Sequence, residues 1–251
     1  MKINLFNLLI PLALSISSCS SLYMPNVPNT PMLSSKGQFS AGGHMSLKGN
    51  LSFNSAYAFS ENLGVMLNGS LIDRSRDRKD FAQNLIEGGV GYFTKFGASN
   101  NRILEIYLGY GAGNSELIKK EVKYEGNVPY NWQETTFDKC FMQVNYSSKN
   151  KKKLKLFGKQ FPLNYGTALR MSYVNMNSFY INDVNQTHKE DNILLEPVFF
   201  TRMQINPNLQ IQYTSGSNIG LKNRDYLTAG SSVFTIGAVF NLNGNKKGAS
   251  Y

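Results

Sequence analysis

Near the start of the chain, His44 and Ser46 stand two residues apart and pair an imidazole base with a hydroxyl nucleophile. On one strand, that spacing puts both side chains on the same face. It is the acyl-transfer arrangement a lipid hydrolase in a membrane barrel would use, and it needs a further acid or amide to orient the imidazole. The plainer reading is a hydrogen-bonded pair inside a lumen, away from lipid, and no catalytic residue is expected. His188 lies beside Lys189, Glu190 and Asp191, where a solvated charge cluster is the default. Two His and two Cys cannot supply a disulfide framework or a four-ligand zinc site, so no metal is expected. Gly109, Gly111 and Gly113 imitate a phosphate loop, but they sit within a strand pattern with no helix after it, which removes the nest that holds phosphate. The chain is expected to need no cofactor and to be no enzyme.

Cys19 is the strongest chemical signal. Lys2 precedes an apolar run from Leu5 to Ile16, too short to span a bilayer as a helix, and Ile16-Ser17-Ser18-Cys19 resembles a bacterial lipobox. Residues 1–18 then read as a signal peptide and Cys19 as the acylated first residue. The alternative is an ordinary secretory peptide cut nearby. Residues 19–35 follow as a lipidated tether, with Pro25, Pro28 and Pro31 at a spacing that favours an extended, polyproline-like spacer between anchor and body.

Residues 36–251 must then form the body. From Gly37 onward the apolar residues recur every second position, as in Phe39, Ala41, Gly43, Met45, Leu47 and again in Phe234, Ile236, Ala238, Phe240, Leu242. Ten such segments are predicted, at 38–47, 51–60, 63–72, 84–96, 102–113, 136–146, 165–176, 191–203, 208–216 and 232–241. Between the apolar positions stand mostly Gly, Ser, Asn, Thr and Gln, whereas a soluble sandwich would carry many Lys and Glu there. An apolar face outside and an uncharged one inside is the pattern of a transmembrane barrel, and strands of about ten residues suit a tilted crossing. The expected fold is all-β: an antiparallel up-and-down transmembrane β-barrel of about ten strands, with both termini in the periplasm. External connections are expected at 48–50, 73–83, 114–135, 177–190 and 217–231, and periplasmic ones at 61–62, 97–101, 147–164 and 204–207. The first external connection is short and 147–164 is long for the side assigned to each.

The alternation turns Glu87, Glu105, Lys139, Arg170, Glu196 and Arg202 inward, three acids against three bases. Buried charges persist only when paired and hydrogen-bonded, so ion pairs across a lumen filled by side chains are expected, with a structural role. A narrow pore or ligand pocket is the alternative.

In the last strand, Thr235, Gly237, Phe240 and Leu242 match the barrel-assembly signal of a polar residue, glycine and two hydrophobic residues at fixed spacing. The stretches YMPNVPNTPMLSSKGQFSAGG, AYAFSENLGVMLNGS, TALRMSYVNM and LLEPVFFTR resemble a family of outer-membrane β-barrel lipoproteins of Gram-negative bacteria with no assigned activity. Lys36-Gly37-Gln38 departs slightly from the Lys-Gly-Glu typical of that family. The resemblance implies fold and place only.

The formal net charge is +10, from 26 Lys and Arg against 16 Asp and Glu. A secreted basic chain meets anionic headgroups and lipopolysaccharide rather than nucleic acid. Lys149, Lys151, Lys152, Lys153 and Lys155 are the densest run and the candidates for that contact. The partners expected are outer-membrane lipid, lipopolysaccharide and the barrel-assembly machinery. The function expected is that of a non-enzymatic, lipid-anchored outer-membrane barrel, structural or binding through external loops. A small-solute channel, a lipid-modifying enzyme using His44 and Ser46, and a soluble tethered β domain are the alternatives.

Overall fold

In a computed structural model, residues 21–46, 49–97, 99–124, 126–156, 158–228 and 232–242 are described, together with their side chains except those of 150 and 151. Cys19 lies outside these residues.

Ten antiparallel strands close a barrel. They are β1 (Phe39–Ser46), β2 (Asn50–Ala58), β3 (Leu63–Ser75), β4 (Lys79–Phe96), β5 (Arg102–Lys123), β6 (Gly126–Leu156), β7 (Lys159–Ile181), β9 (Asp191–Gln204), β10 (Leu209–Gly216) and β12 (Val233–Leu242). Two-residue strands β8 (Val184–Asn185) and β11 (Ile219–Gly220) edge the rim. Each wall strand pairs with the next in sequence, and β12 closes on β1 with Phe39 opposite Leu242 and Ser46 opposite Thr235. Closure leaves no wall strand with an unpaired edge, which is what lets strands face lipid.

All ten sequence-predicted segments fall on wall strands. The alternation divides their side chains as expected: Leu51, Phe53, Leu67, Ile86, Val90, Leu108, Phe199 and Ile236 are exposed outside, while Ser52, Asn54, Asn68, Gln143, Asn145 and Gln212 are buried inside. The connections differ more. Much of 73–83, 114–135 and 177–190 is strand, because β3 to β7 continue beyond the apolar band with Trp132, Glu134 and Thr136 facing outward. Pairing to a neighbour satisfies the backbone in water as well as in lipid, so nothing stops these strands at the band. Residues 147–164 are likewise a hairpin rather than an open connection, pairing Lys152 with Leu163 and Lys155 with Gln160 after a register shift at Ser148.

One expectation is corrected. Residues 21–35 are extended but are no external spacer: Leu22, Tyr23, Asn26, Val27, Asn29, Thr30, Met32 and Leu33 are all buried, running through the lumen. The termini expected in the periplasm lie outside the described residues; of the described ends, Leu22 and Leu242 stand at opposite ends of the barrel. Leu242 lies beside Phe39 at the end where β2 turns into β3 and β4 into β5, whereas Leu22 bonds to Tyr226, in the long connection between β11 and β12 at the opposite end. Below, these are the turn end and the loop end.

Candidate functional site

The lumen and the segment it holds form the candidate site. An isolated extended peptide has backbone groups that must find partners once buried. Here the inward side chains of the wall supply them. At the loop end, Leu22 donates its N–H to Tyr226 O at 2.8 Å and its carbonyl accepts from the Ser115 hydroxyl. Gln83 then bonds both backbone groups of Met24, accepting from its N–H at 2.8 Å and donating to its carbonyl at 2.7 Å. Through the middle, wall donors reach successive carbonyls: Asn50 to Pro25, Asn54 to Val27, Gln143 and Asn145 to Asn29, and Arg202 to Thr30. At the turn end, Glu105 accepts from Met32 and Leu33 N–H, at 3.3 and 3.0 Å. Gln38 receives Ser34 N–H there.

The six inward charges divide into two arrangements. Glu87 (β4), Lys139 (β6), Arg170 (β7) and Glu196 (β9) form one cluster, in which Lys139 Nζ lies 2.8 Å from Glu87 and 3.6 Å from Glu196, and Arg170 Nη1 lies 3.1 Å from Glu87. Asn26 enters this cluster from the threaded segment, giving its amide N–H to Glu87 at 2.8 Å and accepting from Arg170 Nη1 at 2.9 Å. An amide carries both a donor and acceptor, so one residue bridges an acid and a base. Glu105 and Arg202 form no such pair. Each binds the segment's backbone instead, Glu105 with help from Asn145 and Tyr107, Arg202 with its Nε on Gln212 at 2.6 Å. These contacts were not anticipated from sequence; the segment's Asn and Thr residues among buried apolar ones are the signal that could have found them.

His44 is buried, and its Nδ1 has no hydrogen-bond partner. Its ring packs against Gly237 across the β1–β12 seam, and a Cβ at Gly237 would collide with Nδ1 and with the Gly43 carbonyl. The Ser46 hydroxyl accepts from Asn50 N–H at 3.0 Å in the following turn. Thr235 and Gly237 face inward on β12, Phe240 and Leu242 outward.

At the loop end the connection after β11 folds over the mouth. Glu190 is buried there rather than solvated, and accepts N–H groups from Asp225, Tyr226 and Leu227 at 2.8 to 3.0 Å. Asp191 meets Lys222 at 2.5 Å and Arg224 at 2.6 Å, and these bonds, Lys222 first, hold its carboxyl at about 2. Ser21 reaches Thr228 O in the same connection. At the turn end, Lys149 donates to the Ser34 hydroxyl at 3.1 Å, and its burial lowers it to about 8. Lys152, Lys153 and Lys155 are exposed on the hairpin beyond; the side chain of Lys151 is outside the described residues. Among the described residues no group of His, Cys, Asp and Glu is placed to hold a metal ion.

No family model matches the chain, and no curated protein is significantly similar to it. Among solved structures, the translocator domain of autotransporter NalP from Neisseria meningitidis aligns with TM-score 0.40 and 11% identity, covering 81% of this chain and 84% of that one.

Proposed function

We propose that this chain is a lipid-anchored barrel of the bacterial outer membrane that acts without catalysis, through its mouth and external loops, its lumen closed by residues 21–35. The observation that carries the reading is the passage of that segment, buried and hydrogen-bonded at both ends and in the middle, through a closed wall with an apolar outer face. Apolar side chains outside a closed sheet are stable in a bilayer and costly in water. A segment tied at Ser115, Gln83, Glu87, Gln143 and Glu105 occupies the lumen from one end to the other, where a channel needs an open aqueous path. For a lipid hydrolase, His44 would need a partner on Nδ1 and access to lipid, and it faces the lumen with that atom unbonded. In this reading Cys19 bears the acyl group, Thr235, Gly237, Phe240 and Leu242 are read by the assembly machinery, and the hairpin lysines meet anionic headgroups on the periplasmic side.

The test has two arms. With Cys19 replaced by Ala, the protein should still fractionate with outer membranes and shift its gel mobility on heating. In planar bilayers the full chain should give no steady conductance steps. A soluble periplasmic product would refute the membrane barrel, and stable open steps from the full chain would refute the closed lumen.

A further inference from the structure

Residues 21–35 have a direction as well as a place. Leu33 and Ser34 are held at the turn end by Glu105 and Lys149, and Ser21 and Leu22 at the loop end by Thr228 and Tyr226. Between their anchors on β5, Glu105 and Ser115, the strand advances by about 33 Å at about 3.3 Å per residue. At a tilt near 45° this is about 23 Å along the barrel axis, close to the ~25 Å apolar band of such barrels. The outer face of β5 agrees, running from Ile106, Leu108 and Tyr110 to Asn114 and Glu116 over the same stretch. The segment thus crosses the whole band inside the barrel.

We infer that the chain passes through its own barrel to the external face and sets the acyl group of Cys19 in the outer leaflet, beside the mouth. The inference rests on the reading above, in which Cys19 is acylated and the turn end is periplasmic. Two residues separate Cys19 from Ser21 and reach at most about 7 Å, so the inference puts its acyl group on the side where Ser21 is held, by Thr228 at the mouth. At this end of the lumen Leu22 and Tyr23 are packed against the buried side chains of Ile72, Phe81, Leu85 and Phe137, with the charges of Glu87, Lys139 and Arg170 deeper in, while each methylene of an acyl chain gains about 0.8 kcal/mol by entering hydrocarbon. The partner is therefore the acyl layer of the leaflet on the loop side. Ordinary anchoring to the inner leaflet would place the first residue at the opposite end, next to Phe39.

Single cysteines test this in a Cys140→Ser background expressed in a Gram-negative host, labelled with a maleimide polymer too large to cross the outer membrane. Ser21→Cys should label on intact cells, as should Tyr124→Cys on the long hairpin, whereas Lys36→Cys should label only after permeabilisation. Because Ser21 is partly covered by Thr228, a protease site inserted between Ser20 and Ser21 gives a second readout: cleavage on intact cells should release the acylated peptide. Heat-modifiable mobility verifies folding of each variant. Labelling and cleavage at 21 only after permeabilisation, with Tyr124→Cys still surface-labelled, would overturn threading while leaving the barrel reading intact. Labelling of Lys36→Cys but not Tyr124→Cys on intact cells would overturn the orientation and the inference together. Mass analysis showing an unacylated N-terminus would overturn the leaflet contact.

Discussion

Replacing Asn26 by Ala should loosen the lumen segment without opening the wall. The side chain makes two short charge-assisted bonds, to Glu87 at 2.8 Å and from Arg170 at 2.9 Å, with Lys139 more distant at 3.5 Å. Bonds to charged groups contribute about 1.5–3 kcal/mol each, so about 3–6 kcal/mol is at stake. Water entering the vacated space would re-solvate part of the cluster, and Glu87 keeps Lys139 and Arg170, so a net loss of about 2–4 kcal/mol is expected for docking of the segment. At about 1.4 kcal/mol per factor of ten, the undocked population rises by about 30- to 1000-fold. Hydrogen exchange resolved by peptide mass should show faster exchange in residues 21–35 and unchanged protection in β4, β6 and β7. Bilayer recordings should show brief openings absent from the parent. If exchange at 21–35 is unchanged in a folded Asn26→Ala protein, the segment is not held by the charge cluster and the closed-lumen argument fails.

Three further outcomes follow from other parts of the barrel. Gly237→Ala should block or slow assembly, read as loss of the heat-modifiable form, because its Cβ would overlap His44 Nδ1 and the Gly43 carbonyl; His44→Ala in the same chain should restore it only in part, since the carbonyl remains. Glu190→Ala should cost several kcal/mol locally by stranding three backbone N–H groups, and protease should then cut within 221–228 on a folded barrel. Lys149 gives a pH dependence: with its pKa lowered by burial from 10.5 to about 8, the unfolded chain binds more protons between those values, so stability rises as pH increases through that window. Urea titrations at pH 7.5 and 10 should show this rise and show it reduced in Lys149→Met; an equal rise in the variant would assign it elsewhere.

The wall was legible because strands facing two solvents write a period of two, and Leu104, Ile106, Leu108 and Tyr110 against Glu105, Tyr107, Gly109 and Gly111 is such a record. The same rule turns Glu87, Glu105, Lys139, Arg170, Glu196 and Arg202 inward, where the structure has them buried. It says nothing of a segment held by side chains. Residues 21–35 pair with no strand, so Leu22, Val27 and Leu33 follow no period, and their partners at Gln83, Gln143 and Arg202 are remote in sequence. Proline spacing describes the extended shape of the segment and cannot distinguish a solvated spacer from a lumen thread. Glu190 was hidden for a similar reason. Beside His188, Lys189 and Asp191 it has the composition of a solvated cluster, and only the fold of 221–228 over it removes it from water.

The prolines have a physical role that composition alone does not reveal. Between Pro25 and Pro31 the wall presents donors: Asn50, Asn54, Gln143, Asn145 and Arg202 point N–H groups at segment carbonyls. Proline keeps its carbonyl and has no N–H, so Pro25, Pro28 and Pro31 remove three donors from the stretch where the wall asks for acceptors. Toward the ends the wall adds acceptors, Gln83 Oε1, Glu105 and Gln38 Oε1, beside donors from Ser115 and Gln83, and there Met24, Met32, Leu33 and Ser34 have N–H groups to give. Segment and wall are thus complementary in hydrogen-bond sign as well as in charge. Covalent attachment to β1 keeps the segment at high effective concentration for this one lumen, so the match closes the barrel with its own chain in preference to any free peptide of similar sequence.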